Sequence, residues 1–346
     1  MVGQFMAKVL TIIIPIYANE ENLSTCLPTL INNDIMPLID IMILDAGAPD
    51  DTLATAYEYV QKYPETIRVL KCDASAHGKA LNQAIASAEG NYIKIVEGHD
   101  WVNTMGLVTL VNYLQAHTVD MVINPYIQFN GDNMKQDVFG EHLFNHFVAQ
   151  HVYQFDELHL ERTVPFSEIT YRTSLFTENN IRFDDNLYYV DEAYVLYPIR
   201  AIQSVVFLNN EVYVYHINFD PQNLTLNVKA TQDHLAQHYQ ITKACIANYD
   251  LYKHSLSPAK LLYEQRCLHR IIEIQYYLWL SFPTSNLRKQ QLMGWDAEVQ
   301  EIVPEIYKMP SRPIVALIKH SHGHLYKLAA LLLQRKLKRI EYLNRP

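Results

Sequence analysis

Four short runs of β-branched and aliphatic residues punctuate the first hundred positions: "VLTIIIPIY" (9–17), "IDIMILDAG" (39–47), "TIRVLKC" (66–72) and "NYIKIVEG" (91–98). Such brief, almost continuously apolar runs predict strands buried on both faces. Between them lie helix-length segments, "NEENLSTCLPTLINN", "DDTLATAYEYVQKY" and "SAHGKALNQAIASAEG", the last with Ser75 as a candidate cap and Gly90 as a stop. Strand and helix alternating at this spacing predict βαβ crossovers and a parallel sheet. After about residue 225 the pattern changes to helical spacing, as in "HLAQHYQITKACIANYDLY" and "LLYEQRCLHRIIEIQYYLWLSF". The expected organisation is an α/β domain over 1–225, a helical region over 226–310 and a tail over 311–346.

Ligands of a parallel sheet bind beyond the carboxyl ends of its strands, so those ends are where chemistry is expected. The first run closes on Pro15, Tyr17 and Asn19, the second on Asp45, Ala46 and Gly47, the fourth on Glu97, Gly98, His99 and Asp100. An aromatic ring to stack on a base, carboxylates to accept ribose or base donors, and an acid with an imidazole to hold a divalent ion would form a nucleotide-diphosphate site. Asp and Gly also serve turns at strand ends; three such ends in register favour the site.

The ordered set "LTIIIPIYANEENLSTCLPTLI", "IDIMILDAGAPDDT" and "HGKALNQAIASAEGNYIKIVEGHDW" resembles the amino-terminal half of family 2 glycosyltransferases with a GT-A fold, a Rossmann-like, mostly parallel sheet flanked by helices. The resemblance covers roughly residues 8–220. It implies that Pro15 and Tyr17 lie against the nucleobase, with Asn19 beside them, and that Asp45 bonds base or ribose. It also puts Lys79, in the stretch "GKALN" ending at Asn82, near the pyrophosphate. "EGHD" stands where the family carries its acidic metal motif, with Glu97 for the usual Asp, His99 for the second acid, and Ala46 where a second acid is common. Imidazole suits Mn²⁺ better than the harder Mg²⁺. Three readings stay open: Asp100 alone anchors the metal, His99 joins it and favours Mn²⁺, or the donor site has decayed.

About 90 residues on, "VPFSEITYRTSLFTENNIRFDDNLYYVDEAYVLYPI" resembles the family's acceptor side. Asp191 falls at the position of the base that takes the acceptor hydroxyl proton, with Glu192 as its fallback. Acids starting a helix also suit the helix dipole. Tyr188, Tyr189, Tyr194 and Tyr197 crowd the turn as sugar-stacking or packing rings. In "EVYVYHINFDPQNLT", His216 takes the place of a basic residue returned to the diphosphate.

Composition narrows the rest. The chain is 49% hydrophobic and 19% charged, with no run long enough to span a bilayer and no signal pattern, so a cytoplasmic protein is expected. Cys26, Cys72, Cys245 and Cys267 are too far apart for a C-x-x-C motif and read as buried thiols. His234, His238 and His269 read as structural. From Ser311 onward eight Lys or Arg face one Glu, leaving about −16 elsewhere (20 basic minus 36 acidic) within a net charge of −9. That balance argues against nucleic-acid binding and isolates one basic tail. Leu325, Leu328, Leu332 and Leu343 share a helical face there, which fits either an interfacial helix at the inner face of the cell membrane or a helix docked on its own domain. The helical region before it fits an acceptor lid or a homo-oligomer contact.

The reading that follows is transfer of a sugar from a nucleotide-diphosphate donor, a UDP-sugar, with Mn²⁺ or Mg²⁺ as cofactor. The acceptor would be a hydroxyl of a glycan, glycoprotein or lipid-linked chain in surface-glycan synthesis, attacked with inversion. The alternatives are a degenerate, non-catalytic partner subunit and a nucleotidyltransferase. The latter needs a Gly-rich loop where "PIYANEEN" is acidic.

Overall fold

A computed structural model describes residues 7–16, 20–45, 47, 50–72, 77–130, 135–139, 146–187, 189–217 and 232–343. By internal contacts the chain divides into two units. The first runs to His159 and includes Val164–Ile217; the second comprises Leu160–Thr163 and the chain from Asn218 onward.

The first unit opens with β1 (Leu10–Ile16), α1 (Glu20–Thr29), β2 (Ile39–Asp45), α2 (Asp50–Lys62), β3 (Ile67–Lys71), α3 (His77–Ser87) and β4 (Tyr92–Ile95), as the apolar runs predict. It continues with β5 (Trp101–Val102), α4 (Thr104–Ala116), β6 (Met121–Ile123), β7 (Tyr126–Asn130), β8 (Lys135–Phe139), β9 (Val152–Gln154), β10 (Ile169–Arg172), α5 (Ser174–Glu178), α6 (Asp191–Leu196), β11 (Ser204–Phe207) and β12 (Tyr213–Ile217). Among the described residues, eight strands form one sheet in the order β3-β2-β1-β4-β10-β6-β11-β9, and a four-stranded sheet runs β5-β12-β7-β8. Strands β3, β2, β1 and β4 are mutually parallel, whereas β10 runs antiparallel to both its neighbours.

Both faces of β1 and β2 are covered. Ile12, Ile14 and Ile16 join Ile39, Ile41 and Ile43 against Leu23 and Leu27 of α1 and Leu107 and Leu110 of α4. Ile13, Met42 and Leu44 point the other way and are equally buried, which is why the runs show no polar alternation. At the amino ends of the strands, Arg68 grips Asp40 through two 2.8 Å hydrogen bonds and Thr11 donates to the same carboxylate. Gly90 does more than stop a helix: α3 ends at Ser87, and a Cβ on Gly90 would collide with the β1 backbone at Leu10 and Thr11.

The chain places β2 and β3 on one side of β1 and β4 on the other, so the strand order reverses between β1 and β4. A crevice outside the carboxyl ends of β1 and β4 is the expected ligand position in such a sheet.

The second unit is helical: α7 (Gln232–Tyr252), α8 (Pro258–Ser281), α9 (Asn286–Ile302), α10 (Pro304–Tyr307), α11 (Pro313–His320) and α12 (Tyr326–Leu343). The segments read from sequence as 226–310 and 311–346 both fall inside it. His238 meets the Gln275 side-chain oxygen at 2.6 Å, a core hydrogen bond between α7 and α8. All four cysteines are buried thiols. No described helix is long and apolar enough to cross a membrane.

Candidate active site

The carboxyl ends of β1 and β2 lie level, with Ile16 paired to Asp45. Pro15 accepts from the Gly98 amide through its backbone oxygen at 3.3 Å, tying the end of β1 to the turn after β4. Beside that tie a cavity is lined by Pro15 and Leu44 from the strands, His77, Ala80 and Leu81 from α3, Ile95 and Glu97 from β4 and its extension, and Val190 and Asp191. The fold therefore brings Glu97 and Asp191 together across 94 residues of sequence (191 minus 97).

Two features of α3 deliver Asp191 to this cavity. The Gly78 amide donates to the Leu187 carbonyl at 2.9 Å; a Cβ on Gly78 would run into the Asp184 carbonyl, so only glycine allows this approach. The Asn82 side chain donates to the Phe183 carbonyl at 2.8 Å and accepts from the Phe183 amide at 3.0 Å, with a further bond to Asp185. Asn82, read from sequence as a donor-binding residue, thus clamps the loop that leads into α6. Lys79 lies on another side of α3, lining a groove with Asn82, Thr177, Arg182 and Asp185, apart from the cavity of Glu97 and Asp191.

The run Glu97-Gly98-His99-Asp100 is divided between inside and outside. Asp100 is fully buried. One of its oxygens accepts from the Tyr213 hydroxyl at 2.5 Å and the other from the His216 amide at 2.8 Å. These bonds seat β12 behind the turn, so the residue expected to anchor a metal is instead turned inward with both oxygens engaged. His99 keeps 38% of its side chain exposed, its Nε2 3.9 Å from Asp100. Glu97 is half-buried, its amide bonded to the Tyr213 hydroxyl at 3.3 Å. The His216 ring packs near Trp101 and Phe129, with centroids 5.3 and 5.7 Å away.

The acids crowd one another. Burial, then the charges of Asp191 and Asp100, holds the Glu97 carboxyl well above its ordinary range. Burial, followed by the Glu192 charge, pushes Asp191 up to about 7. Burial raises Asp100 to about 6 against the opposing pull of His99, the Tyr213 hydroxyl and the His216 amide. Burial, with His99 nearby, lowers His216, and burial takes His77 down to about 4. A cavity that favours the neutral form of Glu97 and raises Asp191 to about 7 is equipped for proton transfer.

A divalent ion fits this donor set only in part. No group of three or more His, Cys, Asp or Glu able to hold a metal occurs among the described residues, and each Asp100 oxygen already accepts a hydrogen bond within the fold. In the turn after β4 and beside it, His99, His216 and Glu97 keep partial exposure. That nitrogen-rich set suits Mn²⁺ better than Mg²⁺, with remaining ligands coming from a bound diphosphate.

Other expected residues fall differently. Asp45, nearly buried, accepts from the Gly47 amide at 3.0 Å and so closes a turn at the end of β2. Glu192 follows Asp191 in the first turn of α6, half-buried. Tyr17, Asn19, Ala46, Ser75 and Tyr188 lie outside the described residues. Sequence reading missed His77, for which a polar residue opening "HGKA" was the only signal. It also missed Tyr213, whose alternation in "VYVYH" reads as ordinary strand.

Comparison with known proteins bears on the same residues. Residues 11–177 match Glycosyl transferase family 2. An uncharacterized glycosyltransferase of Bacillus subtilis (strain 168), EpsJ, is 25% identical over 252 residues, covering 71% of this chain and 72% of that protein. The poly(ribitol-phosphate) β-N-acetylglucosaminyltransferase TarS of Staphylococcus aureus is 21% identical over 225 residues, which cover 64% of this chain but only 38% of TarS. The crystal structure of TarS 1–349 in complex with UDP matches with a TM-score of 0.61 at 15% identity, covering 97% of this chain and 92% of that one. The mannosyltransferase PcManGT from Pyrobaculum calidifontis, in complex with GDP-Man and Mn²⁺, matches with a TM-score of 0.50 at 13% identity, covering 98% of this chain and 87% of that one. At these identities the solved structures speak to fold, and they share the GT-A arrangement of a mostly parallel sheet flanked by helices. The family match runs from β1 through the strand-end residues to α5, so residues 11–177 carry a family 2 glycosyltransferase domain.

Proposed function

We propose that this enzyme transfers a sugar from a UDP-sugar to a hydroxyl of a surface glycan or glycoconjugate, with inversion, and that Asp191 is the base. The observation that carries this reading is the meeting of Asp191 and Glu97 in one cavity at the switch point between β1 and β4. The UDP assignment draws on TarS, which has been solved with UDP and with UDP-GlcNAc.

In the reaction the acceptor oxygen forms a bond to the anomeric carbon while the bond from that carbon to the phosphate oxygen breaks, its electron pair leaving with UDP. The acceptor proton passes to the Asp191 carboxylate. Burial, then the charges of Asp191 and Asp100, favours the neutral form of Glu97, which can donate a hydrogen bond into the same cavity without adding a second negative charge beside the base. Pro15 and Asp45, at the level ends of β1 and β2, would flank the nucleoside, and His216 would donate to a phosphate oxygen. Mn²⁺ held by His99, with further ligands from the diphosphate itself, would offset the charge of the leaving group.

The test is UDP release from a panel of UDP-sugars and GDP-mannose with Mn²⁺ or Mg²⁺, alongside calorimetric titration of UDP. Turnover of a UDP-sugar, greatest with Mn²⁺ and abolished in Asp191→Asn, supports the reading. UDP binding with no turnover of any donor or hydrolysis to the free sugar refutes it, as does turnover that survives Asp191→Asn.

A further inference from the structure

Helix α12 shows two distinct faces. Tyr326, Ala329, Ala330 and Leu333 are at most 5% exposed and form its packed side. Facing away, Leu328, Leu331 and Leu332 are 43–44% exposed, with Leu325 at 40% just ahead of them. The spacing of 325, 328 and 332 is that of one helical stripe, and 331 broadens it. Lys327 beside the stripe, and Arg335 and Lys336 beyond it, are also exposed. The sequence posed interfacial helix and docked helix as rivals. In the structure Tyr326, Ala329, Ala330 and Leu333 dock, and Leu325, Leu328, Leu331 and Leu332 are left over.

We infer that this leucine face is a docking surface for an anionic phospholipid bilayer. Apolar side chains facing water gain free energy only by being covered, and here they are framed by cations. The segment from Ser311 carries eight basic residues and one acidic, whereas the whole chain is at −9. A second copy would bring two such basic segments together and be repelled, while a nucleic acid would match the charge but leave the leucines wet. An anionic lipid surface satisfies both halves of the pattern, and it repels the acidic remainder of the chain, which confines contact to this face. An enzyme so held would meet acceptors presented at a membrane.

The test is flotation of the full chain with phosphatidylcholine vesicles, with and without phosphatidylglycerol, at low and high salt. Binding is expected only to the phosphatidylglycerol vesicles, and it should weaken with salt. Leu331→Ser/Leu332→Ser should reduce partitioning about tenfold or more, and Arg335→Glu/Lys336→Glu by a similar factor. Both variants should keep the wild-type melting temperature. Wild type that fails to float overturns the proposal, as does either variant floating like wild type. Self-association in sedimentation velocity that the leucine variant abolishes would assign the face to a second copy and equally overturn it.

Discussion

Asp100 in the amino-terminal unit and Asp296 in the helical unit are both buried, and tyrosine hydroxyls hold both. Asp296, 4% exposed, accepts from Tyr276 at 2.6 Å and from Tyr307 at 3.3 Å. Around it the charge is balanced: Lys319, close enough to be influenced by Asp296, is itself bonded to the Tyr307 carbonyl and the Ser311 hydroxyl. Around Asp100 the acids are gathered instead: burial, then the charges of Asp191 and Asp100, raises the Glu97 carboxyl well above its ordinary range. A buried acid with tyrosine partners is thus equally a device of core architecture and of a site. What separates the two is like-charge crowding beside half-exposed side chains at the ends of parallel strands.

Mutating across this contrast tests it. The largest effect is expected from Asp191→Asn, which should lower kcat by about 10³-fold while leaving UDP affinity within about twofold, in the range for loss of a general base. Asp296→Asn should leave kcat within about twofold of wild type. Equal losses in UDP-release assays would break the contrast.

Next in size, Asp100→Ala strands the Tyr213 hydroxyl and the His216 amide, and Asp296→Ala strands Tyr276 and Tyr307. Each should cost about 2–4 kcal/mol in urea unfolding. Only Asp100→Ala should also weaken UDP binding, because it releases β12 and the His216 ring. Asn82→Ala, which opens the clamp on the loop to α6, should cost about 1–3 kcal/mol and reduce kcat with little change in UDP affinity.

The smallest effect concerns pH. Asp191 acts as a base only when ionised, so kcat should rise with pH through about 7. Glu192→Gln removes the charge that adds to burial in raising Asp191, and should move this rise to lower pH. The stability sign is opposite. A carboxyl raised on folding binds its proton more tightly in the native state, so its contribution is full below the ordinary Asp range near 3.8 and is lost as pH rises through about 7. Paired pH profiles of kcat and of melting temperature would show the two trends crossing, and a kcat rise that Glu192→Gln leaves in place would detach Asp191 from the rate.

The apolar runs alone determined β1 to β4, the alternating helices and the parallel sheet, because a short continuous β-branched run and a 3.6-residue repeat are each written within a few neighbouring residues. They also marked the strand ends, two of whose residues, Pro15 and Glu97, line one cavity in the structure. Asp191 came from a resemblance in motif, since one acid at the start of a short helix has no local signature. What sequence could not decide was which of Glu97, His99 and Asp100 faces in. That depends on Tyr213, 113 positions from Asp100, and on the His216 amide. Nor could it show that Asn82 holds a loop 101 residues away. Likewise it placed the α12 leucines on one face but not on the outer one. A hydrogen bond between distant positions, or the side of a helix that packs, exists only once the intervening chain has folded. Tertiary structure therefore settled those assignments, while local pattern settled the elements that carry them.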